Sequence, residues 1–206
     1  MSTGTPLDVI RQTPTHTFVR ARSLPGSDVA ARKAIERAVR EHLLFQVRPG
    51  LYYRSPTTRY GLVGPNPVDV AREVLGAAGF GLAGYSAARA WGLTTQVPAK
   101  THVATLSRAR DIRDVVIHAR SNFARVGLGE REVALLELLR NPEVFVERGW
   151  PALVAAVAAA VELNEIDITA VAQAGETERN SAVSRNLHRL LADLDRRSAP
   201  LEGIAA

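Results

Sequence analysis

The chain has 206 residues, with 26 Lys and Arg against 21 Asp and Glu for a formal charge of +5, 46% hydrophobic residues and no cysteine. That composition excludes global disorder, and the missing cysteines exclude disulfides, thiolate metal sites, a thiol nucleophile and a thiol redox relay. Resolved along the chain, the charge is net +6 over residues 1–60, +4 over 61–129 and −5 over 130–206, an asymmetry that points to a basic N-terminal part and an acidic tail with separate tasks.

Met1 to Ile10 lacks the basic-then-apolar order of a secretory signal, and the longest apolar stretch, Trp150 to Val161, is shorter than the roughly 18 residues that span a bilayer. The expectation is a soluble, cytoplasmic protein with no membrane partner. Pro6 to Thr13 reads as a short helix stopped by Pro14, and Thr17 to Val19 as a brief strand or extended link. Pro25-Gly26 is a turn signal, Ser27 a candidate N-cap, and Asp28 suits the positive end of the helix that follows. From Asp28 to Glu41, Ala31, Ala34, Ile35, Ala38 and Val39 share one side, and Arg32, Lys33, Glu36, Arg37 and Arg40 the other.

Two β-prone runs, Leu43 to Val47 and Leu51 to Arg54, flank Pro49-Gly50 and predict a hairpin. Helix, turn, basic helix and basic-tipped hairpin spell a winged helix-turn-helix, whose second helix enters the major groove while the wing reaches a neighbouring groove or phosphate. Arg32, Lys33, Arg37, Arg40, Arg48 and Arg54 are candidate phosphate contacts, each releasing counterions on binding. Ser27, Arg32 and Lys33, near the helix start, are best placed for base edges, and Arg20 and Arg22 are candidate backbone clamps. The competing reading of the same charges is a solvated helix face.

Gly61 to Pro67 has the composition of a linker and sets the expected boundary between a DNA-binding domain at 1–60 and a C-terminal domain at 61–206. Pro67 to Ala77 is helical in pattern. The glycines at 76, 79, 81 and 84 lack the Lys-Ser/Thr ending of a phosphate loop and follow a helix, so they are read as helix termination and close packing. Ser86, followed by Ala87 and Ala88, is read as a helix-start residue and not as a nucleophile.

Thr101 to Leu106 and Val115 to Ala119 are expected strands, joined by an arginine-bearing connection with Arg108, Arg110 and Arg113 that reads as a solvated loop, or else as a contact for nucleic acid or a partner. The histidines at 16, 42, 102, 118 and 188 show no metal-ligand helix spacing; His102 and His118 are the one pair placed to meet across two strands. From Glu130 on the pattern is helical: Glu130 to Arg140; Pro151 to Leu163, apolar all round and so expected buried; Asp167 to Ala174, ended by Gly175 as a C′ glycine; and about Glu178 to Arg197, with a stripe of Val183, Leu187, Leu190, Leu191 and Leu194 that fits either a core or a partner surface. The fold class expected is α+β and mainly helical: a winged helix-turn-helix, then an α/β and an all-helical C-terminal part.

The basic helix, "HLLFQVRPGLYYRSP" and "GYSAARAWGLTTQVPAKTHVAT" resemble the AbiEi-type antitoxin family of type IV toxin-antitoxin systems, over residues 5 to about 125. The resemblance implies a winged-helix domain that binds inverted-repeat operator DNA and represses its own operon, with Arg32, Lys33, Arg37, Arg48 and Arg54 as operator contacts. It also implies a C-terminal domain that counteracts a nucleotidyltransferase-like toxin, and a monomer or a dimer induced by DNA. No Asp…Glu-x-Lys arrangement supports the nuclease-like extension of some relatives. An alternative reading is a stand-alone winged-helix regulator, or a protein-interaction module without a toxin. An enzyme is disfavoured, since no paired catalytic residues, cofactor motif or metal cluster stands out.

Overall fold

The computed structural model describes residues 4–59, 61–108 and 111–198. The fold is α+β, with nine α-helices and three small sheets among the described residues. The chain divides into two compact units, Met1–Glu73 and Val74–Ala206. No helix among the described residues is long and apolar enough to cross a membrane.

In the first unit, α1 (Pro6–Gln12) starts where Pro6 needs no amide partner, and Thr5 and Asp8 close a reciprocal capping box. Strand β1 (Thr17–Arg20) leads into a 3-10 turn, Ala21–Ser23, and then α2 (Asp28–Arg40). The expected hairpin forms as β2 (Leu44–Arg48) and β3 (Leu51–Arg54), with Gly50 at φ 78° in the connecting turn. The three strands make an antiparallel sheet in the order β1-β3-β2, with Val19 and Gln46 both opposite Tyr52.

The small core of this unit is Ile10 from α1, Val19 from β1, Ala34, Ile35 and Ala38 from α2 and Leu44 from β2. Removing such side chains from water contributes roughly 1.5–3 kcal/mol for each large one. That is what holds the α2 axis against the sheet and turns its other face outward.

The stretch expected to be a bare linker carries a two-residue ladder, β4 (Thr57–Thr58) with β5 (Gly61–Leu62). The division between units falls further on, inside α3 (Pro67–Leu75), so the first unit extends past the expected boundary at residue 60.

The second unit opens with β6 (Gly81–Leu82), α4 (Gly84–Ala90), β7 (Thr101–Thr105) and β8 (Val115–Ala119). The strand order is β6-β7-β8, antiparallel at the first pair and parallel at the second. A parallel pair requires the chain to travel back before the second strand, usually over a dozen or more residues; here only residues 106–114 intervene. Arg110, proposed above as part of that connection, lies outside the described residues.

A 3-10 turn, Phe123–Gly127, is followed by α5 (Glu130–Leu138), α6 (Pro142–Phe145), α7 (Gly149–Glu162), α8 (Ile168–Glu176) and α9 (Ser181–Ser198). Helix α5 is buried from Val133 to Leu138 and forms the centre of the core, with Leu153 and Val157 of α7, Val171 of α8 and Val183, Leu187 and Leu190 of α9 in the same cluster. The α9 stripe is therefore core, with Leu191 and Leu194 packed at its edge.

Two expectations are corrected here. Helix α7 is buried along one side only, through Leu153, Val154, Val157 and Ala160, because its alanines tolerate water at little cost while Ala159 stays exposed. Gly175 lies inside α8, which is capped by Thr177; a Cβ on Gly175 would come within 2.0 Å of Leu187 Cδ2, so its role is to let α8 approach α9.

Candidate nucleic-acid interface

Helix α2 is positioned by its own sequence. The Ser27 Oγ accepts from the Ala30 amide at 3.3 Å, fixing the first turn, and the Ala31, Ala34, Ile35 and Ala38 stripe is buried. At 100° per residue, Val29, Arg32, Lys33, Glu36 and Arg40 fall within an arc of about 100° opposite that stripe. All five are exposed.

Arg22, Arg32, Lys33 and Arg40 make no ion pair among the described residues, so their charges are available to an outside anion. Arg37, at the edge of the arc, is bound differently. Its Nε donates to Glu41 Oε1 at 2.6 Å, and Arg11 Nη2 donates to Glu41 Oε2 at 3.1 Å. Those hydrogen bonds, Arg37 before Arg11, hold the Glu41 carboxyl below its usual range.

Of the nine predicted contacts, Arg20 and Arg54 are, like Arg37, engaged inside the unit. Arg20 donates from Nε to Glu73 Oε1 at 2.8 Å and from Nη2 to the Glu73 carbonyl at 2.9 Å. Arg54 donates from Nη1 to the Leu43 carbonyl at 3.1 Å, and its Nε is buried without a partner. Both sit at ends of paired strands: Arg20 ties the end of β1 to α3, and Arg54 ties the end of β3 to the residue before β2. Arg48, half-buried, ends β2 next to the exposed Pro49-Gly50 turn, the tip of the hairpin.

Val29 was not singled out from the sequence. It is 52% exposed on the first turn of α2, in the middle of the cationic arc. Its signal in the sequence is a β-branched apolar residue on the side of Arg32, Lys33 and Arg40, opposite the Ala31, Ala34, Ile35 and Ala38 stripe.

The other motifs resolve into structure. Ser86 Oγ accepts from the His102 amide at 2.9 Å, which makes it a tie between α4 and β7. A Cβ on Gly81 would meet the Glu130 carbonyl and Val133 at 2.7 Å, so this glycine serves close packing of β6 on α5. His102 and His118 do meet, Nδ1 to Nε2 at 3.1 Å. No group of three or more His, Asp or Glu able to hold a metal ion occurs among the described residues.

No protein-family model matches the chain, and no curated protein is significantly similar to it. Among solved structures, the crystal structure of the Rv2827c protein from Mycobacterium tuberculosis is similar, with a TM-score of 0.53 and 18% identical residues over 92% of this chain and 75% of that one. The two chains share a fold. At this identity the likeness extends to the fold alone.

Proposed function

We propose that the chain is a DNA-binding transcriptional repressor whose first unit is a winged helix-turn-helix, and that it serves as the antitoxin of a type IV toxin-antitoxin system. The observation that carries the DNA-binding part is the outward face of α2, where Arg32, Lys33 and Arg40 make no ion pair among the described residues, on a helix whose other face is anchored in the core. The element order helix, strand, 3-10 turn, helix, hairpin, with the sheet order β1-β3-β2, supports the winged-helix reading. In it the 3-10 turn takes the place of the helix before the recognition helix, and the β2–β3 hairpin with Arg48 is the wing.

Within that reading the nine residues divide. Arg32, Lys33 and Arg40 are the principal cations for phosphate and base edges, Arg22 and Arg48 flank them, and Ser27 sets the angle of the helix start. Arg37 reaches phosphate on leaving Glu41, Arg20 acts by tying β1 to α3, and Arg54 by holding β3 to the residue before β2. Two copies on an inverted repeat match a dimer formed on DNA. The antitoxin role rests on the AbiEi-like segments between residues 5 and 125, and places the protein in the cytoplasm, acting against a nucleotidyltransferase-like toxin.

The deciding experiment is an anisotropy titration of the full chain with DNA from upstream of its own gene, at several salt concentrations. The Arg32→Ala/Lys33→Ala double variant should bind more weakly, with a shallower salt dependence by about two phosphate contacts. Affinity and salt slope equal to wild type would remove α2 as the DNA-reading element. Co-expression with a neighbouring nucleotidyltransferase-like gene tests the antitoxin role: growth is rescued by the intact chain if it holds, and arrest persists if it does not.

A further inference from the structure

We infer that the second unit carries a binding site for a phosphate group, free or esterified to a small molecule, formed by Arg120, Arg140 and Arg179 around a polar cavity. The cavity has a volume of about 330 Å³, and Asn122 and Glu178 also line it. It belongs wholly to the second unit and is separate from α2.

The arrangement begins with two buried carboxylates. Glu137 Oε1 accepts from Arg125 Nη1 at 2.7 Å, Arg120 Nε at 2.9 Å and Arg140 Nε at 3.3 Å, and its Oε2 accepts from Arg120 Nη2 at 2.5 Å. Glu178 Oε1 accepts from Arg125 Nε at 2.6 Å and Asn122 Nδ2 at 3.0 Å, and its Oε2 from Arg140 Nη2 at 3.1 Å. A carboxylate offers about four lone-pair sites and a guanidinium five N–H donors. Glu137 is therefore saturated and Glu178 nearly so, while the arginines still hold donors in excess.

The excess is visible at named atoms. Arg125 Nη2 is buried with no partner, and the Nη1 groups of Arg120 and Arg140 have no protein acceptor among the described residues. Arg179 is exposed at the rim and makes no ion pair among the described residues. Three arginines thus share two carboxylates, and with Arg179 at the rim two positive charges are left over, matching a phosphate dianion, which accepts several charge-assisted hydrogen bonds at once.

Arg120 and Arg140, each 20% exposed, are held in place by the glutamates, so a ligand meets them already ordered and the entropy cost of binding falls. Glu178 faces the same cavity, but its charge is offset by Arg125 and Arg140. The positive end of the 18-residue α9, which starts directly after the cavity-lining Asn180, adds to the attraction. A cavity of this size, at the small end of ligand pockets, admits phosphate with a modest group attached.

The test is isothermal titration of the full chain at low ionic strength with inorganic phosphate and, separately, with adenosine 5′-monophosphate. One saturable site per chain is expected. Arg179→Gln should weaken it by about tenfold, and Arg32→Ala/Lys33→Ala should leave it unchanged. Tighter binding of the monophosphate identifies an esterified ligand, and equal binding identifies the phosphate alone; either supports the site. Arg120→Gln also loosens Glu137, so Arg179→Gln, which touches no buried group, is the decisive variant. Absence of saturable binding to both ligands, wild-type affinity in Arg179→Gln, or loss of binding in the α2 variant instead, would overturn the inference.

Discussion

Arg125 donates from Nη1 to Glu137 Oε1 at 2.7 Å with neither side chain more than 2% exposed, which makes this the most deeply buried ion pair of the second unit among the described residues. Glu178 on one side and Arg120 and Arg140 on the other extend it. Three arginines then share two carboxylates, so the consequence of losing a charge depends on its sign. Glu137→Gln leaves three cations around one carboxylate and should cost about 3–5 kcal/mol, whereas Arg125→Gln leaves two and two and should cost clearly less. Urea unfolding of the two variants at neutral pH, followed by a probe in the second unit, checks the order; equal losses would mean the charge count does not govern the cluster.

The same cluster sets an acid limit. Burial by itself would raise the Glu137 carboxyl, but the hydrogen bonds from Arg120 and the charges of Arg125, Arg120 and Arg140 outweigh it and bring the pKa down from the usual 4.5 to about 2. A carboxyl with a depressed folded pKa stabilises the fold above the unfolded value and loses that contribution as pH falls through the folded one. Thermal unfolding should therefore show stability declining between pH 4.5 and about 2, with a shallower decline in Glu137→Gln. A variant as steep as wild type would place the acid sensitivity elsewhere.

A second pH dependence lies on β7 and β8. His118 is pushed below its usual 6.5, first by burial and then by the charge of Arg120, with His102 and Arg140 acting the same way and Glu137 opposing them. Folding therefore favours the neutral ring, and its contribution is present above pH 6.5 and is lost as pH falls toward the lower folded value. In His118→Gln the loss of melting temperature between pH 7.5 and 5 should be smaller than in wild type. Proton NMR of the His118 ring locates the shifted titration directly, and a midpoint at or above 6.5 would contradict it.

Much of the first unit was legible because its signals are local. Ala31, Ala34, Ile35 and Ala38 repeat at helical spacing, Ser27 sits where a cap belongs, and Pro49-Gly50 lies between two β-prone runs. What escaped was set by distance along the chain. Nothing in the sequence marks the roles of Arg120, Arg125, Arg140 and Glu178, because the contacts that bury or fix them join residues up to 53 positions apart. Only Glu137 carried a clue, a carboxylate inside the apolar run from Val133 to Leu139. The two-residue strands β4, β5 and β6 are too short for any periodicity to show, and Arg20 and Arg54 looked as free as Arg32 until their partners were known.

Close packing of β6 on α5 gives a prediction that involves no charge. Gly81 faces the Glu130 carbonyl and Val133, and an added methyl at 2.7 Å would have to move backbone, since the carbonyl belongs to the first turn of α5. Gly81→Ala should destabilise by about 1–3 kcal/mol. Gly127→Ala, with open space around the new Cβ, is the matched control and should stay within about 0.5 kcal/mol. Similar melting temperatures for the two would show that β6 shifts freely.

Val29 supplies the sharpest check on how α2 would read DNA, given the proposed repressor function. An exposed valine one helical turn before Arg32 and Lys33 gains nothing in water, but in a major groove its methyls meet the C5-methyl of thymine. Burying one such group contributes about 0.8 kcal/mol, about fourfold in Kd. Replacing each operator thymine in turn by uracil removes that methyl and keeps every hydrogen bond. Wild type should lose about fourfold at one thymine per half-site, while Val29→Ala, already without the contact, should lose little at the same position. The non-additive pair identifies the contact. Equal uracil effects in both proteins would leave Val29 outside the groove even if Arg32 and Lys33 bind phosphate as proposed.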